Sequence, residues 1–125
     1  MAERVLGLDH VQVAAPAGCE PEARRFYGGL LGLVEIAKPQ SLAGAGGVWF
    51  ACGGQELHIG SAEDFTPATK AHPGLRVTDA AALAELAERL RATGAPVEPD
   101  DRLPGHQRFY TQDPWGNRVE LLAPA

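Results

Sequence analysis

The chain has 125 residues, 45% of them hydrophobic and 22% charged, with a formal net charge of −5. Length and composition fit one globular domain with enough material to bury a core. The acidic balance and the lack of any basic run argue against a nucleic-acid partner, and no apolar run approaches the ~20 residues of a membrane-spanning helix.

Residues 1–7 lack the apolar core of a signal peptide, so a cytoplasmic protein is expected. Cys19 and Cys52 are too few for a disulfide framework and do not form a zinc-type pair; both are expected as free thiols. Leu8-Asp9-His10-Val11-Gln12-Val13 alternates like a strand. A helix follows, with Pro21 suited to its first turn, Ala23, Phe26, Tyr27, Leu30 and Leu31 on one face, and Gly32 as its stop. Residues 33–37 read as a strand and the glycine-rich 43–47 as a loop. Residues 48–52 and 55–59 form a hairpin around Gly53-Gly54.

The order then repeats. Residues 61–71 read as linker and 72–78 as a strand. Asp79 caps a helix whose stripe is Leu83, Leu86, Ala87 and Leu90, and Gly94 ends it. Residues 95–98 are a short strand. Residues 108–112 and 118–122 pair around the turn Asp113-Pro114-Trp115-Gly116-Asn117. The expectation is a single α+β domain over 1–125, built from two β-α-β-β-β modules, one over about 5–60 and one over about 72–123.

Strand parity sorts the side chains. Val11 and Val13 oppose His10 and Gln12; Leu57 and Ile59 oppose Glu56 and His58. Leu75 and Val77 oppose His72, Gly74 and Arg76; Val119 and Leu121 oppose Arg118 and Glu120. One face of each strand is aliphatic and belongs under a helix. The other gathers imidazole, carboxylate and guanidinium, and a sheet curved around it would enclose a polar pocket. Each half also holds one histidine and one carboxylate at nearly equal separation: His10 with Glu56, and His72 with Glu120. Imidazole and carboxylate suit a divalent transition metal, so these four are the candidate metal ligands.

The pieces Leu8-Asp9-His10-Val11 and Phe109-Tyr110-Thr111-Gln112-Asp113-Pro114-Trp115-Gly116-Asn117-Arg118-Val119-Glu120-Leu121 resemble the vicinal oxygen chelate superfamily, which includes glyoxalase I, fosfomycin-resistance enzymes, bleomycin-resistance proteins and extradiol dioxygenases. The resemblance covers nearly the whole chain. It implies paired modules in a U-shaped mixed sheet around a divalent ion, with His10, His72 and Glu120 at the usual ligand positions and Glu56 at the fourth position of glyoxalase I. It also implies a homodimer in which the first module of one chain faces the second module of the other. The expected cofactor is a divalent ion: Ni, Zn, Co, Mn or Fe.

Three activities are open under that resemblance. A glyoxalase-type lyase or isomerase would bind vicinal oxygens of a small substrate and stabilise an enediolate-like intermediate, with Glu56 or Glu120 as base. An extradiol-type dioxygenase would use His10, His72 and Glu120 around ferrous iron, with Tyr110 and His58 as further catalytic candidates. A bleomycin-resistance-type protein would sequester a ligand without metal; the histidines count against it. Gln12, Arg76 and Arg108 are candidate pocket residues, and Arg118 has the same parity. Trp49 and Trp115 could stack on a ligand, though packing is the simpler role for one and partial exposure for the other. His106 lies in a loop near the expected pocket mouth.

Overall fold

The computed structural model describes residues 4–125; the first three residues of the opening segment and of the 1–125 domain span lie outside the described residues. The elements, in chain order, are β1 (His10–Ala15), α1 (Glu20–Ala23) continuing as a π-helical segment (Arg24–Leu30), β2 (Val34–Ile36), a 3-10 turn (Gln40–Ala45), β3 (Val48–Cys52), β4 (Gln55–Ser61), β5 (Gly74–Arg76), α2 (Ala80–Ala92), β6 (Glu98–Asp100), β7 (His106–Gln112) and β8 (Arg118–Pro124). They form two four-stranded mixed sheets, ordered β1-β4-β3-β2 and β5-β8-β7-β6. The identical order is the β-α-β-β-β repeat expected from the sequence. In each sheet the first strand runs parallel to the fourth, so a long crossover must intervene, and the helix and outer hairpin supply it.

Local chemistry explains most boundaries. Asp79 caps α2 by accepting from the Ala82 N–H at 2.8 Å, and Leu83, Ala87 and Leu90 are its buried stripe. Pro21 occupies the first turn of α1, whose buried face is Ala23, Phe26 and Tyr27. The loop expected over 43–47 is instead largely the 3-10 turn; the chain leaves it through Gly46 and Gly47, both at positive φ. Gly47 is obligatory, because a Cβ there would collide with the Ile59 carbonyl.

Two strands differ from expectation for the same reason. The strand expected over 72–78 pairs only across Gly74–Arg76, because Pro73 has no N–H to give, although its carbonyl still accepts from the Glu120 N–H at 3.0 Å. The strand expected over 95–98 begins at Glu98, beyond Pro96, and tolerates Pro99 because β6 is a sheet edge.

Both helices and the inner sheet faces share one core, with Tyr27, Phe50, Leu57, Ile59, Leu90 and Val119 among its fully buried members. Polar clamps tie the halves together. Asn117 Nδ2 donates to the Ala14 carbonyl at 2.8 Å, its Oδ1 accepts from the Ala68 N–H at 2.9 Å, and the Tyr27 hydroxyl donates to Asp113 Oδ2 at 2.8 Å.

Candidate functional site

Sheet one presents β1, β4 and β3 side by side, and their outward face carries the polar set read from parity. Register places His10 opposite Glu56, Gln12 opposite His58, and Trp49 opposite His58. His58 is only 4% exposed, because it lies between two rings. Trp49 stacks on it at 3.7 Å between centroids and 1° between planes, and His10 covers it at 4.3 Å and 17°. His58 Nε2 contacts Glu56 Oε1 at 2.9 Å, and His10 Nδ1 contacts Asp9 Oδ1 at 2.8 Å. Gln12 lies on the same face, exposed, its carboxamide resting over Gly60, where a Cβ would come within 2.8 Å of it.

Sheet two builds its half differently. Register pairs Gly74, not His72, with Glu120. His72 therefore sits two residues ahead of the position that matches His10, which accounts for the slightly unequal separations in sequence. It still reaches its carboxylate: His72 Nε2 lies 2.9 Å from Glu120 Oε1, over a glycine that leaves the space open. Its Nδ1 lies 2.8 Å from the Lys70 carbonyl. Glu120 is 7% exposed, and Arg108 donates to its Oε2 at 3.2 Å. The same guanidinium binds Asp100 Oδ1 at 3.0 Å. Hydrogen bonds from Arg102 first, and from Arg108, hold the Asp100 carboxyl far below the usual carboxylate range. The buried Tyr110 ring forms the floor, with the Arg118 guanidinium 3.8 Å above it and the His72 ring edge-on at 5.5 Å.

The structure thus pairs His72 with Glu120 directly and sets Glu56 beside His10 across strands. His10, Glu56 and His72 line one cleft of about 230 Å³, with Leu8, Val11 and Leu75 on its walls. Among the described residues, no three His, Cys, Asp or Glu side chains converge closely enough in one chain to hold an ion. Cys52 also borders the cleft, but burial pushes its thiol up, which keeps it protonated near neutral pH.

Arg108, expected to face substrate, has its guanidinium engaged by Asp100 and Glu120. Arg76 is on the expected face and exposed. His106 is the first residue of β7 and borders a separate hollow of about 630 Å³ between α2 and β6–β7, which contains none of the four candidate ligands. That hollow is the larger one, yet three of the four candidate ligands, His10, Glu56 and His72, line the smaller cleft. Trp115 is half-buried against the core.

Three contributors escape the parity argument. Asp9 and the Lys70 carbonyl fix the two imidazoles, and Asp100 anchors Arg108. Trp49 was within reach of sequence reasoning: a tight turn at Gly53-Gly54 sets Cys52 against Gln55 and hence Trp49 against His58.

Residues 7–121 match the family model of the Glyoxalase/Bleomycin resistance protein/Dioxygenase superfamily. A solved glyoxalase family protein from Bacillus anthracis is 46% identical over the whole of both chains, with a TM-score of 0.92. The lactoylglutathione lyase of Agrobacterium tumefaciens is 25% identical, covering 97% of this chain and 96% of its own, with a TM-score of 0.71. The fosfomycin resistance protein FosX of Listeria monocytogenes, 19% identical over 97% of this chain and 95% of its own with a TM-score of 0.76, shares the fold. No curated protein matches the chain.

Proposed function

The chain belongs to the glyoxalase/bleomycin resistance protein/dioxygenase superfamily, and from that premise we propose that it is a divalent-metal-dependent lyase or isomerase of the glyoxalase type, acting on a small substrate with oxygens on neighbouring carbons. The observation that carries this reading is the hydrogen-bond state of His72. The Lys70 carbonyl only accepts, so Nδ1 holds the ring hydrogen. A neutral ring then turns a bare Nε2 toward Glu120 Oε1, 2.9 Å away. Two acceptors face each other, which calls for a cation between them, whether a second ring proton or a metal ion. His10 follows the same pattern, its Nδ1 tied to Asp9 and its Nε2 without a partner among the described residues. Tying one ring nitrogen to an acceptor is how proteins aim the other at a metal. His10, Glu56, His72 and Glu120 would hold the ion.

A divalent cation bound there supplies Lewis-acid polarisation of the substrate oxygens. The chain's own groups divide the remaining work. Glu120 has Oε2 held by Arg108 and Oε1 turned to His72, where the ion would sit. Glu56 has Oε1 on His58, and among the described residues its Oε2 has no partner. Glu56 would therefore loosen from the ion and use Oε2 as the base that takes a proton from the substrate carbon and returns it to the neighbouring carbon. The dioxygenase reading would need His58 to reach the substrate; its ring is covered on both faces and its Nε2 is committed to Glu56.

The working unit in this proposal is a homodimer. The strands nearest the histidines, β1 and β5, are both sheet edges. Leu6, Leu8 and Val11 beside His10 are 90%, 73% and 37% exposed, an apolar strip that a second copy would cover. Each chain's His10 and Glu56 would meet the partner's second half.

Elemental analysis of the purified protein, paired with assays on hemithioacetals of a 2-oxoaldehyde and on catechol with oxygen, tests the reading. His72→Ala is expected to cut metal content at least about tenfold, and hemithioacetal isomerisation to follow the metal. Mixing His10→Ala with His72→Ala protomers is expected to restore about one site per heterodimer. Unchanged metal in folded His72→Ala protein, or oxygen uptake with catechol in place of isomerisation, refutes the proposal. Mixtures that exchange subunits yet recover no metal place the site within one chain.

A further inference from the structure

Resting on the metal reading above, we propose that His58 is a positioning residue: clamped between Trp49 and His10, it sets the direction of the Glu56 carboxylate and the His10 ring. Its 2.9 Å contact with Glu56 Oε1 requires a hydrogen on Nε2, since a carboxylate only accepts. That nitrogen therefore has no lone pair to give a cation. The ring is 4% exposed and stacked on both faces, at 3.7 Å by Trp49 and at 4.3 Å by His10. It cannot turn toward the cleft without breaking both stacks.

What it can do is transmit order. Trp49, opposite it on β3, fixes the imidazole plane. The imidazole fixes one oxygen of a half-exposed glutamate that has no ion pair with Arg or Lys among the described residues. Its other face supports His10, which is itself about half exposed and would swing freely with only Asp9 to hold it. Sheet two uses different means: Glu120 is held by one hydrogen bond from Arg108, whose guanidinium is itself anchored on Asp100, and by burial. Sheet one has no arginine on that face, since β1, β3 and β4 carry none, and a π-stack takes the place of a guanidinium.

Two substitutions separate the two jobs. His58→Phe keeps the stack and removes the donor; His58→Gln keeps a donor and removes the stack. Full-length protein is titrated with Co²⁺, followed by Trp49 fluorescence and by the visible absorption of the bound ion, with thermal melts alongside. His58→Phe is expected to weaken Co²⁺ binding about 10–100-fold, the usual cost of losing an outer hydrogen-bond partner, and to change the absorption spectrum, with the melt close to the parent's. His58→Gln is expected to lie between. On a Glu56→Gln background, His58→Phe is expected to add little, because it acts through Glu56.

Parent-like affinity and spectrum in His58→Phe overturn the inference, as does a full, additive loss on the Glu56→Gln background, which would make His58 a ligand in its own right. If His58→Phe does not fold, Trp49→Leu carries the test; it leaves β4 intact and is expected to weaken Co²⁺ binding severalfold, and unchanged binding rejects the clamp. A parent protein that binds no Co²⁺, or any other divalent ion of the set, removes the metal reading itself. Parent binding with an unaffected His58→Phe variant leaves that reading standing and removes only this one.

Discussion

Tyr27 shows how much of this fold rests on single polar contacts inside the core. Its ring is fully buried, and its hydroxyl donates to Asp113 Oδ2 at 2.8 Å. Asp113 also receives the N–H groups of Trp115 and Asn117 and the Asn117 Nδ2. Tyr27→Phe therefore leaves the carboxylate partnered, and is expected to cost about 1.5–3 kcal/mol in chemical denaturation, the value of one hydrogen bond to a charged group. Burial, with the neighbouring Asp113, pushes the Tyr27 phenol well above its ordinary value. The unfolded phenol ionises first, near pH 10. The stability this group contributes is thus whole below that pH and is lost as pH rises toward the folded value. The parent is expected to destabilise above about pH 10, and Tyr27→Phe to do so less steeply; parallel pH profiles would refute the assignment. At this scale the sequence showed the candidate donors, because strand parity is a local property. It did not show their hydrogen-bond partners, because Asp9, Lys70 and Asp100 act through rotamers and loop paths with no periodicity to betray them.

Elements were legible in proportion to how local their signals are. The capping aspartate and stripe of α2, the Gly53-Gly54 hairpin and the 113–117 turn all follow from adjacent residues. β5 is shorter and β6 later than the sequence predicts, because Pro73 and Pro96 have no N–H to give a ladder. The 3-10 turn before β3 was hidden by composition, since glycine and alanine suit a loop equally well. The 113–117 turn has a reach its own sequence does not advertise. Asn117 is buried and satisfies the Ala14 carbonyl and the Ala68 N–H, on β1 and on the linker. Asn117→Ala would leave both without a partner, at about 1–3 kcal/mol each. A loss of about 3 kcal/mol is expected in urea unfolding; a loss under about 0.5 kcal/mol, the scale of an ordinary surface change, would mean that the clamp is ornamental.

For the whole molecule, the duplicated order of elements was visible in the sequence, and so was the α+β class. The two-residue offset of His72 left a trace in the unequal separations, but its cause did not, because register depends on which residues of β5 can pair. That pairing also has a consequence in time. Within each sheet the hairpins β3–β4 and β7–β8 join neighbours in sequence, whereas β1 and β5 must return across an entire crossover to lie beside β4 and β8. Closing the long loop is slower than closing the turn. β1 and β5 should therefore dock last and open first. His10 rides on β1, and His72 adjoins β5, so each histidine would meet its carboxylate only in the final step of folding. Amide hydrogen exchange is expected to be faster in β1 and β5 than in β4 and β8, and to slow in β1 and β5 when Co²⁺ is added. Equal protection in all four strands would contradict this order. The ion would then act late and mechanically, as a latch on the two strands the chain finds hardest to keep closed.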